Sequence, residues 1–134
     1  MSTPTIADYM TRQVWTIPHN ASVGRAHALM REHQIRHLPV LDNVKLVGVI
    51  TERDLYLIER VGGTRPGMKV EEAMHEDVYT ACTDDPVDTV AQQMARNKYG
   101  SVVVVDPQGA VAGIFTMVDG MRVLSEVLSR PVAT

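Results

Sequence analysis

The chain contains the stretch Gly48-Val-Ile-Thr-Glu-Arg-Asp54, and 65 residues later it contains Gly113-Ile-Phe-Thr-Met-Val-Asp119. Both follow the pattern G-h-h-T-x-x-D, in which h is apolar. An apolar strand pattern becomes a helical pattern at the Thr in each copy. A Thr followed three residues later by an acid resembles a capping box, in which each side chain satisfies a free backbone N–H. The motif therefore predicts, twice, a helix that begins where a buried strand ends.

The repetition extends outward from this motif over nearly the whole chain. Up to Asp106 the two copies match at an offset of 64 residues, and beyond it at 65, as identical pairs show: Met10 and Met74, Thr16 and Thr80, Met30 and Met94, Asp42 and Asp106. We predict two repeats, 5–60 and 69–129. The Gly- and Pro-rich segment 61–68 reads as the linker between them.

Each repeat has the same predicted order of elements. An amphipathic helix lies in the middle of each repeat. We expect Asn20 or Ser22 to cap it in the first copy, and Asp85 to cap it in the second, with Pro86 at the first helical position. The valine run 102–105 predicts a strand buried on both faces. The other elements are a lead-in helix (6–10, 70–74), a strand (14–17, 78–81), two strands joined by a tight turn (37–41 with 46–50, 101–105 with 111–115) and a final helix. The result is β-α-β-β-α twice, a mixed α/β (α+β) fold.

The repeated motif has two interpretations. In the first, Thr51 and Thr116 are only helix caps. In the second, the motif also holds a ligand. The preceding glycine would let a ligand approach the backbone, and a helix N-terminus favours a phosphate. A carboxylate at Asp54 or Asp119 can accept two hydrogen bonds from a ribose diol. Occurrence at equivalent points of a duplicated unit favours the second interpretation.

The duplicated plan, the G-h-h-T-x-x-D motif and the string Ile35-Arg-His-Leu-Pro-Val40 resemble tandem CBS (cystathionine-β-synthase) domains. The resemblance extends from Thr5 to Leu128. It implies two repeats that pack through their sheets about a pseudo-twofold axis. It also implies two clefts between them that bind AMP, ADP, ATP or S-adenosylmethionine, with no obligatory cofactor.

The resemblance further implies roles for individual residues. Asp54 and Asp119 would bind ribose hydroxyls, Thr51 and Thr116 would contact phosphate, and Arg53 would meet a phosphate. Two sets of residues would line the clefts: Thr16, Ile17, Pro18, Arg36, His37, Leu38 and Pro39 in the first, and Thr80, Ala81, Cys82, Gly100, Ser101 and Val102 in the second. The copies differ, since Val118 replaces Arg53 and Gly100-Ser101 replaces Arg36-His37. We therefore expect unequal clefts.

Other candidate sites are weaker. His33 and His37 have the i,i+4 spacing of a helical metal site, but a change from helix to strand falls between them, so we predict no metal site. Cys82 is interpreted as a small buried apolar residue rather than a nucleophile. Met117, Met121 and Leu124 would lie in the core or face another subunit. We find no catalytic constellation, and expect a chain that is not an enzyme.

These observations lead to one main function and one alternative. The main prediction is a regulatory, energy-sensing module that binds an adenosine ligand, forms a homodimer and acts in trans on another protein. The alternative is a ligand-free dimerisation scaffold. The net charge of −3 argues against a nucleic-acid partner. No apolar run approaches the ~20 residues of a membrane span. The absence of a secretory pattern and the single cysteine predict a cytoplasmic protein.

Overall fold

The computed structural model describes residues 4–63 and 65–131, which form two compact units. We name them after their buried carboxylates. The Asp54 unit comprises residues 14–78, and the Asp119 unit comprises residues 4–13 and 79–131. Thr64, in the predicted linker, and residues 1–3 and 132–134 lie outside the described residues. In chain order the elements are α1 (Ile6–Tyr9), β1 (Ile17–Pro18), α2 (Val23–His33), β2 (His37–Asp42), β3 (Lys45–Thr51), α3 (Glu52–Arg60), a 3-10 turn (Val70–Glu72), β4 (Thr80–Cys82), α4 (Val87–Asn97), β5 (Ser101–Val105), β6 (Val111–Thr116) and α5 (Met117–Ser129).

The Asp54 unit contains a three-stranded sheet in the order β1-β2-β3. β1 runs parallel to β2, and β2 pairs antiparallel with β3, placing His37 opposite Thr51. Ser22 caps α2, because its hydroxyl accepts the N–H of Arg25 at 3.1 Å. Apolar side chains of all three strands, α2, α3 and the 3-10 turn pack into one core: Ile17, Val23, Ala26, Met30, Leu38, Val40, Ile50, Leu55 and Val70.

The Asp119 unit repeats this arrangement with the sheet order β4-β5-β6, in which Ser101 lies opposite Thr116. Val102, Val103 and Val104 are buried, as the valine run predicts. The core comprises Ile6, Met10, Ala81, Val87, Val90, Met94, Val102, Val104 and Phe115. The prediction that Asp85 caps the helix is wrong. Its carboxylate closes the preceding turn by accepting the N–H of Cys82 at 2.8 Å, and Pro86 occupies the N-cap.

The compact units are not the sequence repeats. The lead-in segment of the second repeat, here taken as residues 70–75, packs in the Asp54 unit, and that of the first repeat, residues 6–11, packs in the Asp119 unit. In the Asp54 unit, the N–H of Val49 donates to the carbonyl of His75 at 3.0 Å, and the reverse bond is 2.9 Å. These two bonds add the lead-in as one residue of antiparallel pairing to β3. The repeat bounds 5–60 and 69–129, which describe similarity along the sequence, remain a prediction.

Gly48 makes this docking possible. A Cβ at this position would lie 2.6 Å from the Met74 sulfur and 2.7 Å from the His75 carbonyl oxygen. Both distances are far below van der Waals contact, so only a residue without a side chain fits under the lead-in. The interpretation that this glycine leaves room for a ligand is therefore wrong, because the space is filled by the protein itself.

In the Asp119 unit, Gly113 allows the other lead-in segment to pack on β6 in the same way. Thr11 and Ile114 exchange two backbone hydrogen bonds of 2.8 and 3.0 Å. A Cβ at Gly113 would lie 2.9 Å from both the Thr11 carbonyl oxygen and Met10 Cγ. The glycine of the repeated motif thus fixes a lead-in segment to the outer strand of each sheet.

Helix α5 carries an apolar stripe that its own unit leaves exposed. Met117, Met121, Leu124 and Leu128 are 48–75% exposed, so the interpretation of these residues as core is wrong. Val118 and Val127 extend the exposed surface. None of the helices in 4–63 and 65–131 combines the length and the apolar character needed to cross a bilayer.

Candidate functional site

The start of α3 is organised around a buried carboxylate. Asp54 Oδ2 accepts the backbone N–H of Thr51 at 2.8 Å and its hydroxyl at 2.9 Å, while the N–H of Asp54 donates to the Thr51 hydroxyl at 3.2 Å. This is the predicted capping box. Because the hydroxyl proton of Thr51 is directed to Asp54, Thr51 must rotate before it can donate to a phosphate.

The second oxygen of Asp54 has a partner from the lead-in segment. Nε2 of His75 lies 2.6 Å from Oδ1 of Asp54. The Asp54 side chain is only 8% exposed, whereas that of His75 is 65% exposed. A buried carboxylate requires such donors, since desolvation of an unpaired charge is costly. His75 therefore gives the second oxygen of Asp54 a hydrogen-bond partner on its solvent side.

The start of α5 repeats the arrangement with different donors. Oδ2 of Asp119 accepts the N–H and the hydroxyl of Thr116 at 2.9 and 3.3 Å. Oδ1 accepts two further bonds, from the Thr11 hydroxyl at 3.0 Å and from the guanidinium of Arg122 at 3.1 Å. This carboxylate is 4% exposed. Thr11 occupies the position of His75 in the repeat, so the lead-in reaches the carboxylate in both units.

Several residues assigned to the first cleft lie at one end of the Asp54 sheet. His37 begins β2 opposite Thr51, and the carbonyl of Arg36 accepts the N–H of Glu52 at 2.9 Å. Thr16 precedes β1, whose parallel pairing begins with Ile17 opposite Val40, three residues after the start of β2. The remaining assigned residues divide by exposure: Pro18 and Arg53 are exposed, whereas Ile17, Leu38 and Pro39 are buried and offer a ligand only their backbone groups.

The residues assigned to the second cleft occupy equivalent positions in the Asp119 unit. The carbonyl of Gly100 accepts the N–H of Met117 at 3.2 Å, which holds the start of α5 beside β5. Ala81 and Val102 belong to the core, and Thr80 is exposed. Cys82 is exposed as well, so its interpretation as a buried apolar residue is wrong. The strand alternates, and Ala81 is the residue that points inward.

The backbone donors expected for a phosphate are partly occupied. The N–H of Glu52 is bonded to Arg36, and that of Asp54 is bonded to Thr51. Two of the first three N–H groups of α3 therefore already have partners. The side of the motif that remains chemically available is the carboxylate, which accepts hydrogen bonds from hydroxyl groups.

Burial lowers the pKa of His37, and the adjacent charge of Arg36 lowers it further. Asp54 and Glu52 oppose this shift but do not overcome it. An imidazole with a lowered pKa is neutral at pH 7, so it has one ring nitrogen that donates and one that accepts. The first set of site residues therefore includes a neutral polar ring, where the second set has Ser101.

His33 and His37, which have the spacing of a helical metal site, lie in different elements. His33 ends α2 and its ring stacks on that of Trp15 with centroids 3.5 Å apart, while His37 lies in β2. Within 4–63 and 65–131, no three His, Cys, Asp or Glu side chains lie close enough together to hold a metal ion.

Sequence reasoning did not find His75, Thr11 or Arg122 as partners of the carboxylates. A signal was present, because positions 11 and 75 are equivalent at the offset of 64 residues. Both also follow the methionine that packs on the motif glycine. Arg122 is three residues after Asp119 and faces it across one helical turn.

Comparison with known proteins assigns both halves to one family. The family model described as the CBS domain matches residues 6–58 and again residues 70–126. The solved CBS domain pair of protein MJ0100, in complex with 5'-methylthioadenosine and S-adenosyl-L-methionine, is 32% identical. Its TM-score is 0.84, and the match covers 94% of this chain and 99% of that chain. CBSX2 of Arabidopsis thaliana, solved in complex with AMP, is 26% identical, with a TM-score of 0.81 and coverage of 92% and 98%.

Curated relatives are longer than this chain. The uncharacterized protein MJ1232 of Methanocaldococcus jannaschii is 33% identical over 120 residues, which are 90% of this chain and 39% of that protein. Two further relatives are matched over 24% and 22% of their length. The chain therefore spans less than half the length of these curated relatives.

Proposed function

Because the chain belongs to the CBS domain family, we propose that it is a non-catalytic regulatory module that binds an adenosine ligand. The proposed ligands are AMP, ADP or ATP, with S-adenosylmethionine as a further candidate, and the binding places are the starts of α3 and α5. Ligand binding would change the conformation or stability of the module, and this change would regulate a partner protein in trans. This role would make the chain a sensor of adenylate supply in the cytoplasm.

The observation that carries this proposal is the pair of buried carboxylates at equivalent helix starts. Asp54 and Asp119 are only 7% and 3% exposed. An exposed Asp would cap a helix equally well, so capping alone does not require a buried carboxylate. A carboxylate in a site of low dielectric strengthens any hydrogen bond it accepts from a ribose diol. The related MJ0100 pair with its two adenosine compounds, and CBSX2 with AMP, support this ligand class.

The signalling step would be a shift of population. A ligand that binds one conformation better than another increases the share of the first. The effect on a partner cannot exceed the difference in binding free energy between the two conformations. No chemical change of the ligand is needed for this step, so a binding module suffices.

Thermal melting with a ligand panel tests the proposal. A ligand at 100 times its Kd stabilises the folded chain by about 2.7 kcal/mol, which raises the melting temperature by roughly 10 °C. We expect this rise with AMP, ADP, ATP or S-adenosylmethionine. Loss of the rise in Asp54→Asn or Asp119→Asn assigns it to the helix starts. Chromatography of the recovered ligand should show no turnover.

The chain offers a matched control for these variants. Thr5 and Asp8 form a third capping box at α1, with the Thr5 N–H 2.8 Å from Asp8 Oδ2, and Asp8 is exposed. Asp8→Asn removes the same kind of cap without touching either buried carboxylate. It should lower stability slightly and leave the ligand response intact. Trp15, the only tryptophan, adjoins Thr16 and gives an independent fluorescence titration.

A ligand-free dimerisation module is the second candidate. It is favoured by the capping boxes, which already use the Thr51 hydroxyl proton, and by the exposed apolar stripe of α5. We propose that this stripe contacts a second copy of the chain, so that a homodimer forms in both candidate functions. Failure of every ligand in the panel to change melting or Trp15 fluorescence would leave only this second candidate.

A further inference from the structure

The two carboxylates differ in the hydrogen-bonding capacity that they have left. An ionised carboxylate offers about four acceptor positions, two on each oxygen. Asp54 uses three of them, for two bonds from Thr51 and one from His75. Asp119 uses all four, for two bonds from Thr116, one from Thr11 and one from Arg122. Among the hydrogen bonds made by residues 4–63 and 65–131, an acceptor position therefore stays open for a diol at Asp54 and not at Asp119.

The difference has one cause in the sequence. Arg122 lies three residues after Asp119, and the residue three after Asp54 is Leu57. Leu57 is exposed and has no group that donates to a carboxylate. The remaining donors are equivalent in the two units, because Thr51 matches Thr116 and His75 matches Thr11. Arg122 alone fills the fourth position.

The two carboxylates also differ in the chemical group of the donor that a ligand would displace, an imidazole at Asp54 and a guanidinium at Asp119. His75 is 65% exposed and can turn into solvent, which would give Asp54 two free positions on one oxygen. At Asp119 the exposed donor is the guanidinium of Arg122, whose side chain is 69% exposed, and turning it away would leave the buried carboxylate without its cationic partner. The bond from Arg122 therefore joins two full charges of opposite sign, and it ends on a carboxylate that is 4% exposed.

We propose that Arg122 is a specificity-determining residue that closes the Asp119 site to ribose diols, so that the chain binds one adenosine ligand, at Asp54. This inference rests on the proposed function, and it names which of the two sites performs it. The loss of one charge-assisted hydrogen bond corresponds to an affinity at Asp119 that is about tenfold or more below that at Asp54.

Reciprocal substitution between the copies tests the inference. Isothermal titration of the full chain with AMP should give one binding event per chain, which Asp54→Asn abolishes. Arg122→Leu should add a second event, and Asp119→Asn in that background should remove it again. Leu57→Arg should weaken the first event about tenfold. Leu57→Gln is its matched control, since Gln is polar but brings no charge, and melting of each variant checks its fold.

The outcomes separate this inference from the proposed function. Two events of equal affinity in the unchanged protein, or one event in Arg122→Leu, would overturn the role of Arg122 and leave the sensor function standing. Weaker AMP binding in Arg122→Leu would also overturn it, because Arg122 would then hold the phosphate. The absence of heat with AMP in every variant, together with no melting response to the ligand panel, would remove the proposed function and this inference with it.

Discussion

Replacing Gly48 with Ala tests how the lead-in segment is held. The new Cβ would lie 2.7 Å from the carbonyl oxygen of His75, whereas ordinary contact begins at 3.4 Å. The lead-in must therefore retreat by about 0.7 Å from β3. That movement stretches both backbone bonds between Val49 and His75, which are 2.9 and 3.0 Å long. The clash is with backbone, so rotation of a side chain cannot relieve it.

The magnitude follows from these contacts. Overpacking costs about 1–3 kcal/mol, and each weakened backbone bond costs about 0.5–1.5 kcal/mol. The smaller entropy of the unfolded chain with Ala returns about 0.4–1 kcal/mol. The middle of these ranges gives an expected net loss of about 3 kcal/mol, which lowers the melting temperature by roughly 10 °C for a chain of this size. Gly113→Ala should behave in the same way, because its Cβ meets the Thr11 carbonyl oxygen.

Each unit supplies its own control for this measurement. A Cβ at Gly24 in α2 meets nothing closer than 3.9 Å, and one at Gly120 in α5 meets the Phe115 ring at 3.9 Å. Ala at these helical positions should raise the melting temperature by a few degrees, because Ala is about 1 kcal/mol more favourable than Gly in a helix. Melting of the four variants, with hydrogen exchange at Val49 as a local readout, completes the assay. Gly48→Ala that melts within about 2 °C of the unchanged protein would refute the packing argument.

Three further predictions concern other parts of the chain. Burial lowers the pKa of His37, so the unfolded chain binds a proton at this residue more readily than the folded chain does. The free energy of unfolding should therefore fall as the pH drops below about 6.5 towards the lowered pKa. Urea titrations should show a smaller fall for the variant His37→Ser. Met121→Glu should convert the proposed dimer into a monomer, as measured by light scattering, because a dimer would bury the new charge in the apolar stripe of α5. A variant that remains dimeric would show that this stripe is not the dimer contact. Gln34 and Lys98 have positive φ values of 54° and 59° at the ends of α2 and α4. Because glycine adopts this left-handed conformation without a Cβ penalty, Gly at either position should raise the free energy of unfolding by roughly 0.5–1 kcal/mol. Unchanged denaturation midpoints would contradict this prediction.

The sequence predicted the parts of the fold that depend on local pattern. The strands predicted at 37–41 and 46–50 are observed as His37–Asp42 and Lys45–Thr51, because burial and turn residues define both ends. The caps at Thr51 and Thr116 were predicted as well, since a capping box lies within four residues. The first strand of each repeat is shorter than predicted, with only Ile17–Pro18 in the Asp54 unit. Its pairing partner is distant in sequence, and an apolar run does not reveal where that pairing begins.

Parts of the site that depend on contacts distant in sequence were not predicted. His75 reaches Asp54 across 21 residues and Thr11 reaches Asp119 across 108. The two lead-in segments are alike in sequence, so the pattern alone cannot decide which one packs on Gly48. The sequence pattern therefore led to the prediction that the motif glycine leaves room for a ligand. In the structure, this space is occupied by a methionine side chain and a backbone carbonyl group.

Chain connectivity accounts for the arrangement that the pattern left open. In the Asp54 unit, α3 ends at Arg60 and the lead-in begins at Val70, so a short connection brings it back onto the same sheet. Short loops cost little closure entropy, and the cost grows slowly with length. The other lead-in, at Ile6, is then left to pack on the Asp119 unit, although the body of that unit begins only at Tyr79. Thus the same glycine contact is made within a continuous segment in one unit and between distant segments in the other. The donor to each carboxylate follows from this assignment: His75 is delivered to Asp54 and Thr11 to Asp119, so the identity of the lead-in determines part of the chemistry at each helix start.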